Sequence, residues 1–141
     1  MKQTKKTSTT KRTKIDEYDP IIYPRKLWVS LYNGTMKPFT DRFCYRDGCE
    51  LVDMGDSGET DARTYCVVEK STGKYGYLVL IDSAILKNKV SLIDVIAHES
   101  EHVKTNIFED INLYTNVESQ EADAYMVGFI AKSIWKTIFS K

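Results

Sequence analysis

The two histidines of this 141-residue chain stand four residues apart, in the run His98-Glu99-Ser100-Glu101-His102. If the run is helical, positions i and i+4 lie one turn apart on one face, so both imidazoles can reach a single metal ion. Imidazole nitrogen is a preferred ligand of zinc. Shuffling this composition places the histidines at this spacing, with Glu after the first, about once in a thousand sequences. The spacing therefore predicts a zinc site in which His98 and His102 are ligands.

The glutamate that follows the first histidine has the position of a general base. Glu99 lies about 100° round a helix from His98, so its carboxylate would sit beside the two imidazoles rather than between them. A carboxylate in that place can take the proton of a water molecule that attacks a carbonyl group. The pattern therefore indicates metal-assisted hydrolysis with Glu99 as the catalytic base, whereas Glu101 should project into solvent.

A third protein ligand is required, because catalytic zinc sites use three protein ligands and a water. The chain has no other histidine. That leaves a carboxylate or a cysteine, and the carboxylates that follow the histidines are Glu109, Glu118, Glu121 and Asp123. Glu109 would lie about 10 Å from His102 along a continuing helix, which is too far for the same ion. Spacing alone leaves the others open, including Glu118 in place of Glu121 if the second helix shifts its register.

The first half of the chain carries the patterns of β-strands. Apolar and polar residues alternate, and short β-rich runs are bounded by turn residues. A tight turn is expected at Asp47-Gly48, because this pair tolerates positive φ. We expect a strand at 26–33, a hairpin over 42–52, an acidic surface loop at 53–62, and a second hairpin from runs 64–69 and 75–82.

The second half carries the pattern of helices. Ser91 can cap a helix over 92–110, which would contain both histidines. A second helix is expected over 118–139. Its buried stripe is predicted at Ala122, Met126, Phe129, Ile130 and Ile134. Strands followed by helices indicate an α+β fold, with a small antiparallel or mixed sheet packed on two helices and the zinc site between the active-site helix and the C-terminal helix.

The two motifs together resemble those of the gluzincin zinc peptidases, especially their minimal single-domain forms. His-Glu-x-x-His is followed here by Glu121-Ala-Asp-Ala, and the run that begins at Glu121 is similar to small phage-encoded metallopeptidase-like proteins in which Glu opens an Ala-Tyr-x-x-Gly helix. The resemblance covers about residues 76–135. It implies a zinc metalloendopeptidase with Glu121 as third ligand, peptide or protein substrates, and a strand near 76–82 whose free edge pairs with the peptide. Ala124, one turn after Glu121, would let the helices approach closely.

Positive charge is concentrated at the start of the chain. The formal net charge is zero, yet residues 1–14 hold six of the 20 basic residues and none of the 20 acidic ones. We expect a disordered basic tail over 1–14 and one zinc-metallopeptidase-like domain over 15–141. Such a tail can contact nucleic acid, although it has no aromatic residue for base stacking. A second interpretation is thus a catalytically silent zinc-binding scaffold, or a regulatory or virion-associated protein, whose tail contacts nucleic acid.

Cysteine usage and hydropathy bear on location. Three cysteines, an odd number, argue against a disulfide framework and for a reducing compartment. No apolar run is long enough to span a membrane, and no apolar segment follows the basic start as it would in a secretory signal. We therefore expect a cytoplasmic protein without a membrane partner, or one in the host cytoplasm or virion if it is phage-encoded.

Overall fold

The computed structural model describes residues 12–21, 23–56, 58–114, 116–117 and 120–140. In this part of the chain five strands form one mixed sheet with helices on both faces, which confirms the predicted α+β class. The strands are β1 (Ile15–Tyr18), β2 (Lys26–Tyr32), β3 (Phe43–Tyr45), β4 (Ala62–Glu69) and β5 (Tyr75–Asp82). The helices are α1 (Lys37–Arg42), α2 (Lys89–Asp110) and α3 (Gln120–Phe139), and a 3₁₀ turn over Ser83–Lys87 precedes α2.

Strand β5 lies in the middle of the sheet, whose order is β1-β2-β5-β4-β3. It pairs parallel with β2, where Lys26 lies opposite Gly76, and antiparallel with β4, where Tyr75 lies opposite Val68. Every residue of β5 after Tyr75 is buried. A nearly continuous apolar run is what a strand covered on both faces requires. The expectation that residues 76–82 form a free, peptide-accepting edge is therefore wrong, because both sides of β5 are paired.

Strand β4 is paired along its whole length on one side only. Its partner β5 covers it from Ala62 to Val68, whereas β3 reaches only the last three residues, Val67 to Glu69. Within the described ranges, no strand pairs with residues 62–66 on the side away from β5. We call this stretch, residues 62–66, the open edge of β4.

The two faces of the sheet are covered by different helices. Alternate residues of β5 point to opposite faces. On one face Tyr77, Val79 and Ile81 form a buried cluster with apolar residues of α2 and α3. On the other, Leu78 and Leu80 form a second buried cluster with Trp28 of β2 and Phe39 of α1. Helices α2 and α3 thus lie on one face and α1 lies on the other.

Helix α2 begins three residues earlier than the sequence indicates. The Asn88 side chain, rather than Ser91, caps it, because its Oδ1 accepts a hydrogen bond of 3.1 Å from the Ser91 N–H. The predicted end at Asp110 is confirmed. In α3 the predicted burial of Met126, Ile130 and Ile134 is also confirmed, whereas Ala122 and Phe129 are only partly buried. Ala124, however, is exposed, so it does not bring the helices together.

Two other expectations are settled by the strand pairing. The hairpin of β4 and β5 is confirmed. The hairpin over 42–52 is wrong: Gly48 does turn the chain with φ of +88°, but residues 49–54 form no strand, and β3 pairs with β4 instead. Neither β1 nor α1 was predicted from the sequence. Among the described residues, no helix has the length and apolar character needed to cross a bilayer.

Candidate metal centre

The two histidines project from α2 on its solvent-exposed side and converge. Their Nε2 atoms lie 3.0 Å apart, and their rings are 4.6 Å apart at an angle of 77°. Two nitrogens bound to tetrahedral zinc at about 2.0–2.1 Å are separated by about 3.3 Å. The distance is that of a hydrogen bond between the two rings, and it lies within a few tenths of an ångström of the separation that two ligands of one ion would have. The structure brings together the pair that the spacing predicted.

Glu99 lies between the histidines and the sheet. Its side chain is 5% exposed, and its Oε2 accepts a hydrogen bond of 2.5 Å from the Thr64 hydroxyl. Thr64 belongs to the open edge of β4. A hydrogen bond to an ionised carboxylate is short and strong, so it fixes the orientation of the group. Sequence reasoning missed Thr64, because the two residues are 35 positions apart and no local pattern connects them.

The third predicted ligand is not brought to the histidines. Among the described residues, no group of three or more His, Cys, Asp or Glu side chains is arranged to hold a metal ion. Glu121 lies exposed in the first turn of α3, and Glu109 is exposed near the end of α2. Glu118, the alternative, lies outside the described residues. The structure therefore assembles His98, Glu99 and His102, and a third ligand from α3 stays a prediction.

The reason lies in how α3 begins. Lys104 of α2 donates a hydrogen bond of 2.9 Å to Asp123 in the first turn of α3. Because Lys104 follows His102 by two residues, it projects about 200° round the helix from that histidine. The start of α3 is thus held against the flank of α2 that faces away from His102. Asp123, one of the candidate ligands, is engaged by this contact.

The ion pair that holds α3 is largely sheltered from water. Lys104 is 5% exposed and also contacts Glu101 at 2.6 Å. Burial lowers the pKa of the Lys104 ammonium, but the hydrogen bonds to Glu101 and Asp123 outweigh burial and raise it. The ammonium therefore stays charged. Glu101, expected in solvent, is mostly exposed but has this partner.

Comparison with known proteins adds no relative. No protein-family model, no curated protein and no solved structure matches this chain. The resemblance to the gluzincins thus depends on the motif residues themselves and stays a prediction.

A second polar cluster anchors the C-terminal end of α2. Asp110 accepts hydrogen bonds of 2.9 and 2.7 Å from the two terminal nitrogens of Arg46, and another from the Tyr77 hydroxyl. Arg25 lies 3.5 Å away. The hydrogen bonds from Arg46 lower the pKa of Asp110 to about 2, and the bond to Asp110 raises the pKa of Arg46. A carboxylate is unfavourable at the negative end of a helix dipole, and here the two guanidinium groups offset that cost.

Proposed function

We propose that this chain is a zinc-dependent metallopeptidase that hydrolyses peptide bonds with Glu99 as general base. One observation carries the proposal: the Nε2 atoms of His98 and His102 converge to 3.0 Å beside a buried, oriented glutamate. His98 and His102 would hold the ion. When bound, zinc would polarise the scissile carbonyl and lower the pKa of the attacking water. Glu99 would take the proton of that water and deliver it to the leaving amine.

The surroundings of Glu99 support this role. The Thr64 hydroxyl engages Oε2, so proton transfer would use Oε1 of the same carboxylate. A carboxylate held in one orientation needs little rearrangement when the proton moves, and such preorganisation is a large part of catalysis. Thr64 would act as a positioning residue, since it would affect the reaction only by orienting the Glu99 carboxylate.

The open edge of β4 supports a peptide as the substrate. An unpaired strand edge offers backbone donors and acceptors to an extended peptide, which adds to the sheet as another strand. Residue 64 lies in the middle of this edge and contacts Glu99. A peptide paired with residues 62–66 would therefore pass beside the proposed base. The substrate edge proposed here belongs to β4 and replaces the one expected in β5.

We keep Glu121 as the proposed third ligand because of the resemblance. Glu121 would reach the histidines only if the first turn of α3 moved from its place against Lys104. Glu118 is the competing ligand. The matched variants Glu121→Ala and Glu118→Ala separate the two. Changes to residues that only contact a ligand lower metal affinity by about 10–100-fold, so removal of the ligand itself should lower zinc affinity by at least that much.

A second candidate function is a catalytically silent zinc-binding scaffold with a regulatory or virion role. The observation that favours it is the charge of residues 1–14, which hold six basic residues and no acidic one and would suit contact with nucleic acid. Cytoplasmic location belongs to either proposal, because Cys44, Cys49 and Cys66 are free thiols and suit a reducing compartment. Peptide cleavage is the property that separates the two candidates.

The test measures metal content and peptide cleavage on the same preparation. Purified with zinc present, the chain should hold about one zinc ion per molecule and cleave members of a peptide library. Glu99→Gln should keep the zinc but lower kcat by about 10²–10⁴-fold, because Gln cannot accept the proton. Glu50→Gln, the same change at an exposed glutamate outside α2, is the matched control and should preserve both. Zinc without cleavage would support the scaffold, and a wild-type chain without zinc would contradict both functions.

A further inference from the structure

A groove of about 940 Å³ lies on the face of the sheet opposite the histidines. Helix α1 forms one side of it, the residues that lead into β1 form another, and the turn after β4 closes one end. The position follows from the packing, because Phe39 of α1 and Ile15 of β1 belong to the cluster on that face. The groove therefore does not share residues with the candidate metal centre.

The charged side chains that line the groove are mostly basic. They are Arg12, Lys37, Arg42, Lys70 and a single acid, Asp41. Lys37 and Asp41 are 3.1 Å apart but 80% and 62% exposed, and such surface pairs contribute little in water. The Lys37 ammonium can therefore exchange this partner for another anion.

Arg42 and Lys70 differ in how far a neighbouring acidic group offsets their charge. Arg42 pairs with Glu69 at 2.8 Å. Burial raises the pKa of Glu69, but hydrogen bonds from Thr72 and Arg42 outweigh it and lower the pKa, so the carboxylate stays ionised and compensates Arg42. Lys70 donates instead to the Thr40 carbonyl, which carries no charge. Asp41 and Glu69 offset Lys37 and Arg42, so the net positive charge of the groove comes from Arg12 and Lys70.

The groove is next in sequence to the basic start of the chain. Arg12 lines the groove, and the eleven residues before it contain four lysines and no acid. Residues 15–141 hold the other 14 of the 20 basic residues and all 20 acidic ones. The most basic stretch of the chain thus precedes a residue that lines the groove, while residues 15–141 carry net negative charge, which favours a polyanion as the partner of this part of the chain.

We propose that the groove binds the sugar–phosphate backbone of nucleic acid without reading base sequence. The basic side chains of the groove come from three segments, namely the lead into β1, helix α1 and the turn after β4. Such an arrangement suits a linear polyanion that lies in the groove better than the flat surface of a bilayer. None of the described residues that line it is aromatic, so it offers no platform for base stacking. Contacts to phosphate position a nucleic acid but carry no sequence information. The inference does not rest on the peptidase proposal, because the two sites lie on opposite faces.

The test uses the full chain and a labelled single-stranded oligodeoxynucleotide, with affinity measured by fluorescence anisotropy across a salt series. The groove variant is Lys37→Gln with Lys70→Gln. The matched control is Lys132→Gln with Lys136→Gln, which removes two exposed lysines from α3 on the other face. Each lost phosphate contact lowers the slope of log K against log salt by about 0.7 for a single strand. The groove variant should therefore bind roughly tenfold more weakly, with a slope reduced by about 1.4.

The outcomes separate this groove from general charge. Weaker binding in the groove variant alone supports the proposal. Equal losses in both variants, or no binding by the wild-type chain, would overturn it. Tighter binding to phosphatidylserine vesicles than to the oligonucleotide would also overturn it, in favour of a membrane surface. Thermal melts of both variants that match the wild type ensure that folded proteins are compared.

Discussion

The middle and the C-terminal end of α2 hold polar side chains in opposite ways. At the end, Asp110 receives hydrogen bonds from Arg46 and Tyr77 and has its charge compensated inside the protein. In the middle, the imidazoles of His98 and His102 are exposed, and their nitrogens point at one another. A carboxylate whose charge is compensated within the fold contributes stability, whereas two exposed imidazoles that contact each other at the surface are accessible to a ligand. The end of α2 therefore holds the helix, and its middle is the part suited to chemistry.

The largest expected effect is on metal binding in the middle of α2. His98→Ala should lower zinc affinity at least about 100-fold, more than changes that act only through a ligand's partner. Because His98 is exposed, the free energy of unfolding of the zinc-free protein should change by no more than about 0.5 kcal/mol. A competition titration with a zinc chelator and a urea melt measure the two quantities. Wild-type zinc affinity in this variant would remove the contrast between the two regions.

At the C-terminal end of α2 a substitution should change the stability of the protein and leave its zinc affinity unchanged. Asp110→Asn should lower the free energy of unfolding by about 2 kcal/mol, which follows from a pKa that falls from 3.8 to about 2 on folding. Because the folded pKa is the lower one, this stabilisation is present above about pH 4 and is lost as the pH falls toward 2. The Asn variant should lack that step in urea melts across pH and should keep wild-type zinc affinity. A loss of zinc affinity would show that the two regions are coupled.

A smaller effect is expected where the sheet supports the middle of α2. Thr64→Val removes the hydrogen bond to Glu99, and bonds to charged groups are worth about 1.5–3 kcal/mol. If Glu99 is the base, kcat should fall roughly tenfold while KM and zinc content stay the same. Thr64→Ser keeps the hydroxyl and should restore kcat, which a purely structural role of the threonine side chain would not predict. An unchanged kcat in Thr64→Val would remove Thr64 from the mechanism.

Most features decided by neighbouring residues were predicted correctly from the sequence, although the hairpin over 42–52 and the start of α2 depend on the same short-range signals and were not. The hairpin of β4 and β5, the end of α2 and the buried stripe of α3 all follow from short-range turn chemistry and periodicity. Two elements were missed because they are short. Strand β1 has four residues, two of them charged, and α1 has six residues with Pro38 near its start. Neither is long enough to show a period.

Features decided by distant residues were not predicted. The prediction that residues 76–82 form an edge strand was wrong, because strand order depends on the pairing of β2 with β5. These two strands are separated by two others in the sequence. The unbroken apolar run of β5 was a usable signal for a central strand. In the candidate metal centre, His98, Glu99 and His102 lie within about one turn of the same helix. Their spacing was therefore sufficient to predict how they are placed relative to one another. Thr64 and Glu121 lie in other elements, and tertiary packing decides what they contact.

The open edge of β4 also bears on how the protein behaves in concentrated solution. An unpaired edge that can accept a peptide can equally accept the same edge of a second molecule, and natural proteins oppose this with charged edge residues. Arg63 is exposed and is the one charged residue in the stretch 62–66. Two molecules joined there would bring their arginines into the same new sheet. Arg63→Val should therefore increase light scattering at high protein concentration without lowering the melting temperature, whereas Arg63→Lys should behave like the wild type. Scattering that does not rise in Arg63→Val would mean that another part of the molecule keeps this edge from self-association.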